Sequence, residues 1–237
     1  MSRRDRFRYA VAVDMIVLTV RERALQVLVV ERAKAPFAGQ LALPGGFLED
    51  GEDLDQATHR ELAEETGLDA EKLHIRQFCT YGAPDRDPRG PIMSVAYVAL
   101  MSDLPIPTAG GDARAAHWTP VDELLTDSSM LAFDHHHILG DAVENARDLL
   151  CHTTLAATFC SPEFTISQLR EVYETVWGVE LEPSNFHRKV TRANGFLIPT
   201  GGKAVSDRGR RASLYRAGPA TQLHPALLRE SHQKSEH

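Results

Sequence analysis

Little in this sequence points to an oxidising compartment or a membrane. Three cysteines, Cys79, Cys151 and Cys160, are spread over 237 residues. An odd, widely spaced set makes neither a disulfide framework nor a zinc pattern. The longest apolar stretch, around Met15 to Val20, falls far short of the roughly 20 residues a membrane-spanning helix needs. Basic residues precede apolar ones at the N-terminus, as in a secretory leader, but Asp14 interrupts the apolar region and the alternation there suits a strand. Internal repeats and low-complexity tracts are absent. The expectation is a cytoplasmic protein with no membrane partner. Hydrophobic content of 43% and charged content of 25% belong to a globular chain rather than a disordered one.

Basic charge is scarce overall, with 26 Lys and Arg against 33 Asp and Glu, a net charge of −7. The deficit is unevenly placed. Residues 1–150 carry −10 and residues 151–237 carry +3. Between Arg188 and Arg216 there are eight basic residues and one acid, Asp207. An acidic first part and a locally basic second part predict two domains with different partners. We place them at residues 1–150, including a connecting helix, and 151–218, with 219–237 as a disordered tail.

In the first part, Phe7 to Val20 and Ala24 to Arg32 are β-rich and separated by Arg-Glu-Arg, a hairpin pattern. A short strand ends at Gly45-Gly46. A helix follows, opened by a capping-box pair, Asp53 and Gln56, and stopped by Gly67. Leu73 to Thr80, Ile92 to Met101 and Ala113 to Thr119 read as further strands, and Val121 to Leu125 as a short helix. Strands and helices mixed this way make an α/β or α+β domain. From Phe133 the spacing of Ile138, Ala142, Val143, Ala146, Leu149 and Leu150 becomes helical.

The helix before Gly67 carries Glu61, Glu64 and Glu65, which share one face. Like charges this close repel unless a cation sits among them, and hard oxygen donors suit Mg²⁺ or Mn²⁺. Three glutamates alone would read as a solvated face. The surrounding spacing changes that. Gly46, five residues on Glu52, seven more and then Arg60-Glu61-Leu62-Ala63-Glu64-Glu65-Thr66-Gly67-Leu68 resembles the Nudix box at every fixed position. The resemblance implies the α/β class, as an α/β/α sandwich that takes a nucleoside diphosphate linked to another group. It implies metal binding by Glu64 and Glu65 with the Gly45 carbonyl or Glu61, Arg60 orienting a glutamate, and Glu61 as the base for water. Asp112 and Glu123 are both compatible with a further acidic ligand. In Thr80 to Tyr97, Arg86 and Arg89 flank Asp87-Pro88 in a turn. They are either surface arginines of an ordinary turn or a bidentate phosphate grip. The stretch is similar to the corresponding loop of ADP-ribose-type Nudix proteins.

The basic part begins with an amphipathic helix from Thr165 to Trp177, capped by Thr165 and Gln168 and stopped by Gly178. Ser184 is the expected N-cap of the next helix. Phe186, Val190 and Ala193 lie on one side of it, and Asn185, Arg188, Lys189 and Arg192 on the other. Then comes Phe196-Leu-Ile-Pro-Thr, a basic glycine-containing loop from Gly201 to Arg211 and Ala-Ser-Leu-Tyr-Arg, a hairpin with a basic tip. Helix, helix and basic hairpin is the order of a winged helix-turn-helix. Its second helix would read the major groove, and Lys203, Arg208, Arg210 and Arg211 would meet phosphates. The plainer reading is an accessory domain with a solvated basic face.

Both halves together resemble the Nudix-related regulators of NAD metabolism, the NrtR family. The likeness rests on Arg86-Asp-Pro-Arg-Gly90, Leu131-Ala-Phe-Asp-His-His-His-Ile-Leu139, Phe186 to Leu197 and Leu214-Tyr-Arg216. It implies a homodimer that represses NAD-synthesis or salvage genes at a near-palindromic operator and is released by ADP-ribose. Many family members have degenerate boxes, whereas this box is complete. The alternative is a Mg²⁺-dependent ADP-ribose pyrophosphatase whose C-terminal domain serves assembly only. His135, His136 and His137 invite a metal reading, but consecutive helical residues point about 100° apart, so junction packing or surface is expected. Trp118 and Trp177 read as core.

Overall fold

The structure, a computed structural model, describes residues 9–69, 71, 73, 75–102, 104–111, 113–205 and 211–229. The chain divides into two compact units, Met1–Arg21 with Leu25–Val143, and Glu22–Ala24 with Glu144–His237. The expected boundary at residue 150 moves to Val143, inside a helix. The reason is that the second half of this helix bonds within the second unit: Arg147 Nε donates to the Val176 carbonyl at 2.9 Å, and Trp177 Nε1 donates to the Arg147 carbonyl at 3.1 Å.

In the first unit β1 (Ala10–Arg21) and β2 (Ala24–Arg32) are joined by Glu22 and Arg23, both at positive φ, the conformation a two-residue hairpin loop demands. With β3 (Leu41–Ala42), β4 (Gly45–Phe47), β5 (Arg76–Tyr81), β6 (Ile92–Leu100) and β7 (Ala113–Pro120) they form one sheet, seven strands among the described residues. The order is β3-β2-β1-β6-β5, with β4 on β1 and β7 on β2. β1 and β6 run parallel, whereas β1–β4, β2–β3, β2–β7 and β5–β6 run antiparallel. β5 starts at Arg76 rather than at Leu73.

β1 is buried on both faces, as a central strand in a layered fold must be. Val13, Met15 and Val17 pack with Ala57 and Leu62 of α1 (Leu54–Thr66). Ile16 and Leu18 point the other way and are also fully buried. α2 (Val121–Thr126) and α3 (His135–His152) bring Leu124, Ile138 and Leu139, likewise inaccessible. Each such leucine or isoleucine stabilises the fold by about 1.5–3 kcal/mol. α1 begins where expected: the Asp53 carboxylate accepts from Gln56 N at 2.8 Å, and the Gln56 side chain accepts from Asp53 N at 2.9 Å. Gly67 ends it at φ 68°, its N–H on the Ala63 carbonyl. No helix among the described residues is long and apolar enough to cross a membrane.

The second unit holds a short 3₁₀ turn (Leu155–Phe159), α4 (Ile166–Trp177), α5 (Pro183–Arg192) and the hairpin of β8 (Leu197–Val205) and β9 (Arg211–Ala217). Thr165 caps α4 with Gln168 as expected. The buried face of α4 meets α5 through Tyr173, whose ring lies 4.8 Å from Trp177 and 5.3 Å from Phe186. Three expectations need correction. Glu182, not Ser184, caps α5, because Pro183 suits the first helical position and leaves the Glu182 carboxylate facing Ser184 N at 2.9 Å. β8 continues through Lys203, so this residue lies in the strand; Arg208 and Arg210 fall outside the described residues. The segment after Gly218 is packed as far as Arg229. Leu223 N donates to the His152 carbonyl at 2.8 Å and Leu227 N to that of Cys151 at 2.9 Å, and both leucines are buried.

Replacing Gly67 by alanine should cost about 1–2 kcal/mol, since a side chain must then be held in the left-handed region with no clash to relieve (the nearest atoms stand 3.6 Å away). Denaturant unfolding of the variant is the check; an unchanged midpoint would contradict this account of the helix end.

Candidate functional site

The acidic helix face is organised by Arg60. Its Nε and Nη2 reach Glu52 at 2.8 and 2.9 Å, Nη1 reaches Glu61 at 2.8 Å, and Nη2 also reaches the Phe47 carbonyl at 3.0 Å. Such forked, charge-assisted bonds fix both carboxylates in space. Arg60 holds Glu52 below the usual carboxylate range, with help from Glu49 N. Glu61 is shifted upward: burial outweighs the pull of Arg60, and Glu64 and Glu52 add to the rise. The Glu61 carboxylate lies against Gly46, where any Cβ would stand 1.9 Å from Oε1. A side chain at Gly46 would therefore have to displace the Glu61 carboxylate from its place beside Arg60. Glu64 stays half exposed, with Arg60 3.6 Å away.

Glu65 is buried beneath the helix. Gly45 N donates to its Oε2 at 2.9 Å. Burial pushes its pKa up to about 8, Gly45 N–H opposes this, and Glu61 and Asp14 reinforce it. Gly45 stands opposite Asp14 in the β1–β4 register. Asp14 is the polar centre of β1, only 7% exposed. It accepts from the Ser94 hydroxyl, from Arg86 Nη2 at 3.4 Å, and faces His135 Nε2 at 3.5 Å. His135 Nδ1 accepts from Leu43 N at 3.0 Å, so the ring proton sits on Nε2, toward Asp14. Burial keeps this imidazole neutral. Only the first of the three histidines therefore serves the site; His136 faces the Leu125 carbonyl and His137 faces Asp141.

Arg86 and Arg89 both line the cavity, but neither is an idle surface side chain. The Arg86 fork is filled by Asp134, with Nε–Oδ2 at 2.8 Å and Nη2–Oδ1 at 2.6 Å. Arg89 is held by Asp87, with Nη2–Oδ2 at 2.6 Å. Its guanidinium also lies 4.9 Å from the ring centres of Phe47 and of Phe133, and that of Arg32 lies 4.7 Å from Phe133. The sequence reading missed Asp14, Phe133, Asp134 and His135 as site residues. The signals for them were an aspartate interrupting an apolar strand and the Leu131–Leu139 stretch, which carried the family likeness without assigning its residues to the site.

These side chains enclose an open cavity of about 480 Å³. Glu61, Glu64 and Glu65 line one part of it, and Arg32, Arg86, Arg89, Phe47 and Phe133 another. Among the described residues no three potential ligands converge on a common point, because Glu61 turns to Arg60 and Glu65 to Gly45. The donor set still fits a hard divalent cation: carboxylate oxygens from one helix face, and Glu65 buried with Glu61 and Asp14 as neighbours rather than cations alone. Glu123 is exposed on α2 and does not line the cavity; Asp112 lies outside the described residues.

In the second unit, α5 buries Phe186 and Val190, with Ala193 buried just past its end, and turns Arg188 and Arg192 to solvent. Asn185 Oδ1 accepts from Arg188 Nη2 at 2.8 Å, and Lys189 is half-buried beside them. Lys203 and Arg211 are exposed on the hairpin. One helix face and one hairpin thus present the basic charge.

A sheet between helices with a glutamate-lined cavity, followed by two helices and a hairpin, defines a Nudix protein fused to a winged helix. Residues 8–140 match the NUDIX domain and residues 156–217 the NrtR DNA-binding winged helix domain. The chain is 32% identical over 206 residues, 86% of its length and 80% of the other's, to the ADPR responsive transcriptional repressor NtrR of Acinetobacter baylyi. The NrtR of Shewanella oneidensis bound to a 27-mer DNA is 33% identical, with TM-score 0.68 over 88% of this chain and 94% of that one. The Nudix domain of the same Shewanella protein with ADP ribose matches at 33% identity and TM-score 0.54, over 62% of this chain and 94% of that one. An ADP-ribose pyrophosphatase of Methanocaldococcus jannaschii is 39% identical over 134 residues, 56% of this chain and 72% of that protein. The chain belongs to the NrtR family.

The Asp87–Arg89 pair has a pH signature. Burial raises the Asp87 pKa, but the hydrogen bonds from Arg89 outweigh it and hold the carboxyl below its ordinary value of 3.8. A carboxyl depressed in the folded state stabilises above its unfolded value, and that contribution disappears as pH falls through the folded value. Asp87→Asn should therefore destabilise by about 1 kcal/mol near neutrality. The gap should close below pH 3.8. A gap that persists in acid would contradict the pairing.

Proposed function

We propose that this protein is a transcriptional repressor of NAD biosynthesis or salvage genes that responds to ADP-ribose. The observation that carries the reading is the union, in one chain, of a Nudix cavity and a winged helix whose second helix and hairpin carry the basic charge. ADP-ribose is a diphosphate with a nucleoside at one end and a ribose at the other. Its diphosphate suits Arg86 and Arg89, which offer planar forks. Glu64 and Glu65, with the Gly45 carbonyl and Glu61, would hold Mg²⁺ or Mn²⁺ against it. α5 would lie in the major groove with Asn185, Arg188, Lys189 and Arg192 toward bases and backbone, while Lys203, Arg208, Arg210 and Arg211 meet phosphates. A homodimer on a near-palindromic operator would place two such helices on successive half-sites. The protein acts in the cytoplasm, and ADP-ribose releases it from DNA.

Hydrolysis is a second reading, favoured by one observation: Arg60 clamps Glu52 and Glu61 together in a complete box. A bound Mg²⁺ would offset phosphate charge and acidify a water. Glu61, oriented by Arg60, would take the proton from that water as it attacks a diphosphate phosphorus, giving AMP and ribose 5-phosphate. Turnover would let the repressor clear its own signal.

Arg188→Ala and Arg192→Ala should each weaken operator binding at least about fivefold while ADP-ribose affinity stays constant. Unchanged operator affinity in both would remove α5 as the reading helix. Glu65→Gln should abolish Mg²⁺-dependent AMP release; equal release by the variant and the parent would exclude this carboxylate from the chemistry.

A further inference from the structure

The cavity's arginines do more than face a ligand. Three of them, Arg32, Arg86 and Arg89, converge on two consecutive residues, Phe133 and Asp134, immediately ahead of α3. Arg86 fills both oxygens of Asp134. Arg89 and Arg32 lie over the ring of Phe133 at 4.9 and 4.7 Å. The neighbouring positions are tied to the cavity wall too: Ala132 N donates to the Leu41 carbonyl at 2.8 Å, and His135 accepts from Leu43 N. Phe133 itself sits at φ 56°, a left-handed conformation that a phenylalanine adopts only when its surroundings hold it there. The helix that follows is continuous from His135 to His152 and runs past Val143, where the first unit ends.

We propose that Phe133 and Asp134 form a latch that shares its arginines with the ligand. The inference rests on the reading that the cavity takes ADP-ribose. A diphosphate offers Arg86 and Arg89 pairs of anionic oxygens for bidentate bonds, as the carboxylates of Asp134 and Asp87 do now. Ligand phosphates and the Asp134 carboxylate therefore compete for one guanidinium. When the ligand wins, Asp134 loses its partner, and the grip of Arg89 on Phe133 loosens with it. The start of α3 is then released from the left-handed turn. Occupancy of the cavity is coupled in this way to a helix that runs past Val143 into the second unit's residues, and coupling of this kind is reciprocal: whatever favours the latched state must weaken ligand binding.

Reciprocity gives the latch a signature that damage would not produce. Asp134→Asn keeps the side-chain shape and removes the competing charge. It should tighten ADP-ribose binding about fivefold or more, measured by titration calorimetry on the full-length protein. It should also shrink the factor by which ADP-ribose lowers operator affinity, because the unliganded protein already resembles the liganded one. Phe133→Leu, which keeps apolar bulk and removes the ring face, should shift both quantities in the same direction. Tighter ligand binding with a reduced operator response supports the latch. Weaker or unchanged ADP-ribose affinity in both variants, with the operator response of the parent intact, overturns it. A parent protein that binds ADP-ribose without any change in operator affinity would instead defeat the repressor reading on which the latch stands.

Discussion

Asp14 puts a carboxylate in the middle of the central strand, between Val13 and Met15, with both neighbours fully buried. Removing such a charge from water costs several kcal/mol unless it is paired and hydrogen-bonded. The fold meets that demand with Ser94 from the adjacent strand, Arg86 from the loop before it and His135 from α3. Each partner is then committed. His135, facing Asp14 with its Nε2 proton, has only Nδ1 left, and this holds the Leu43 N–H. Leu43 leads through Pro44 into Gly45, whose N–H holds Glu65. A single buried charge thus fixes the wall of the cavity, the position of a buried glutamate and the start of α3.

The arrangement also explains why the cavity has two chemical characters. On one side Arg60 pins Glu52 and Glu61 while Glu64 and Glu65 complete an acidic surface that suits a divalent cation. On the other, arginines and aromatic rings alternate, with every described guanidinium already engaged by a carboxylate or a ring. On the proposed reading, a ligand with a diphosphate would satisfy both sides at once, whereas a neutral ligand of the same size would leave the arginines where they are and have no hold on α3.

Local signals in the sequence described local structure well. The caps of α1 and α4 were legible because each is made by residues three apart, Asp53 with Gln56 and Thr165 with Gln168. The faces of α5 were legible from its period, with Phe186 and Val190 inward and Arg188 and Arg192 outward. Its cap differs from the expected Ser184 because Pro183 takes the first helical position and leaves Glu182 to face the free N–H groups. The buried network was hidden for a different reason. Asp14 and Arg86 are 72 residues apart, and Leu43 and His135 are 92 apart, so no window along the chain contains the pair. From residue type alone the loop arginines suit an ordinary turn as well as an anion grip, and the likeness to ADP-ribose-type Nudix loops favours the grip; that they already hold Asp134 and Asp87 depends on the fold. The chain beyond Gly218 reads as a tail because it is terminal, yet as far as Arg229 it is joined to the 151–152 end of α3 by backbone bonds from Leu223 and Leu227, whose side chains are buried.

The most direct test of the account is fluorescence anisotropy of the full-length protein on DNA from upstream of its own and neighbouring NAD genes, with excess nonspecific DNA present and ADP-ribose then titrated in. The account expects specific binding that ADP-ribose reverses. Specific binding that stays constant through saturation of the cavity would contradict it.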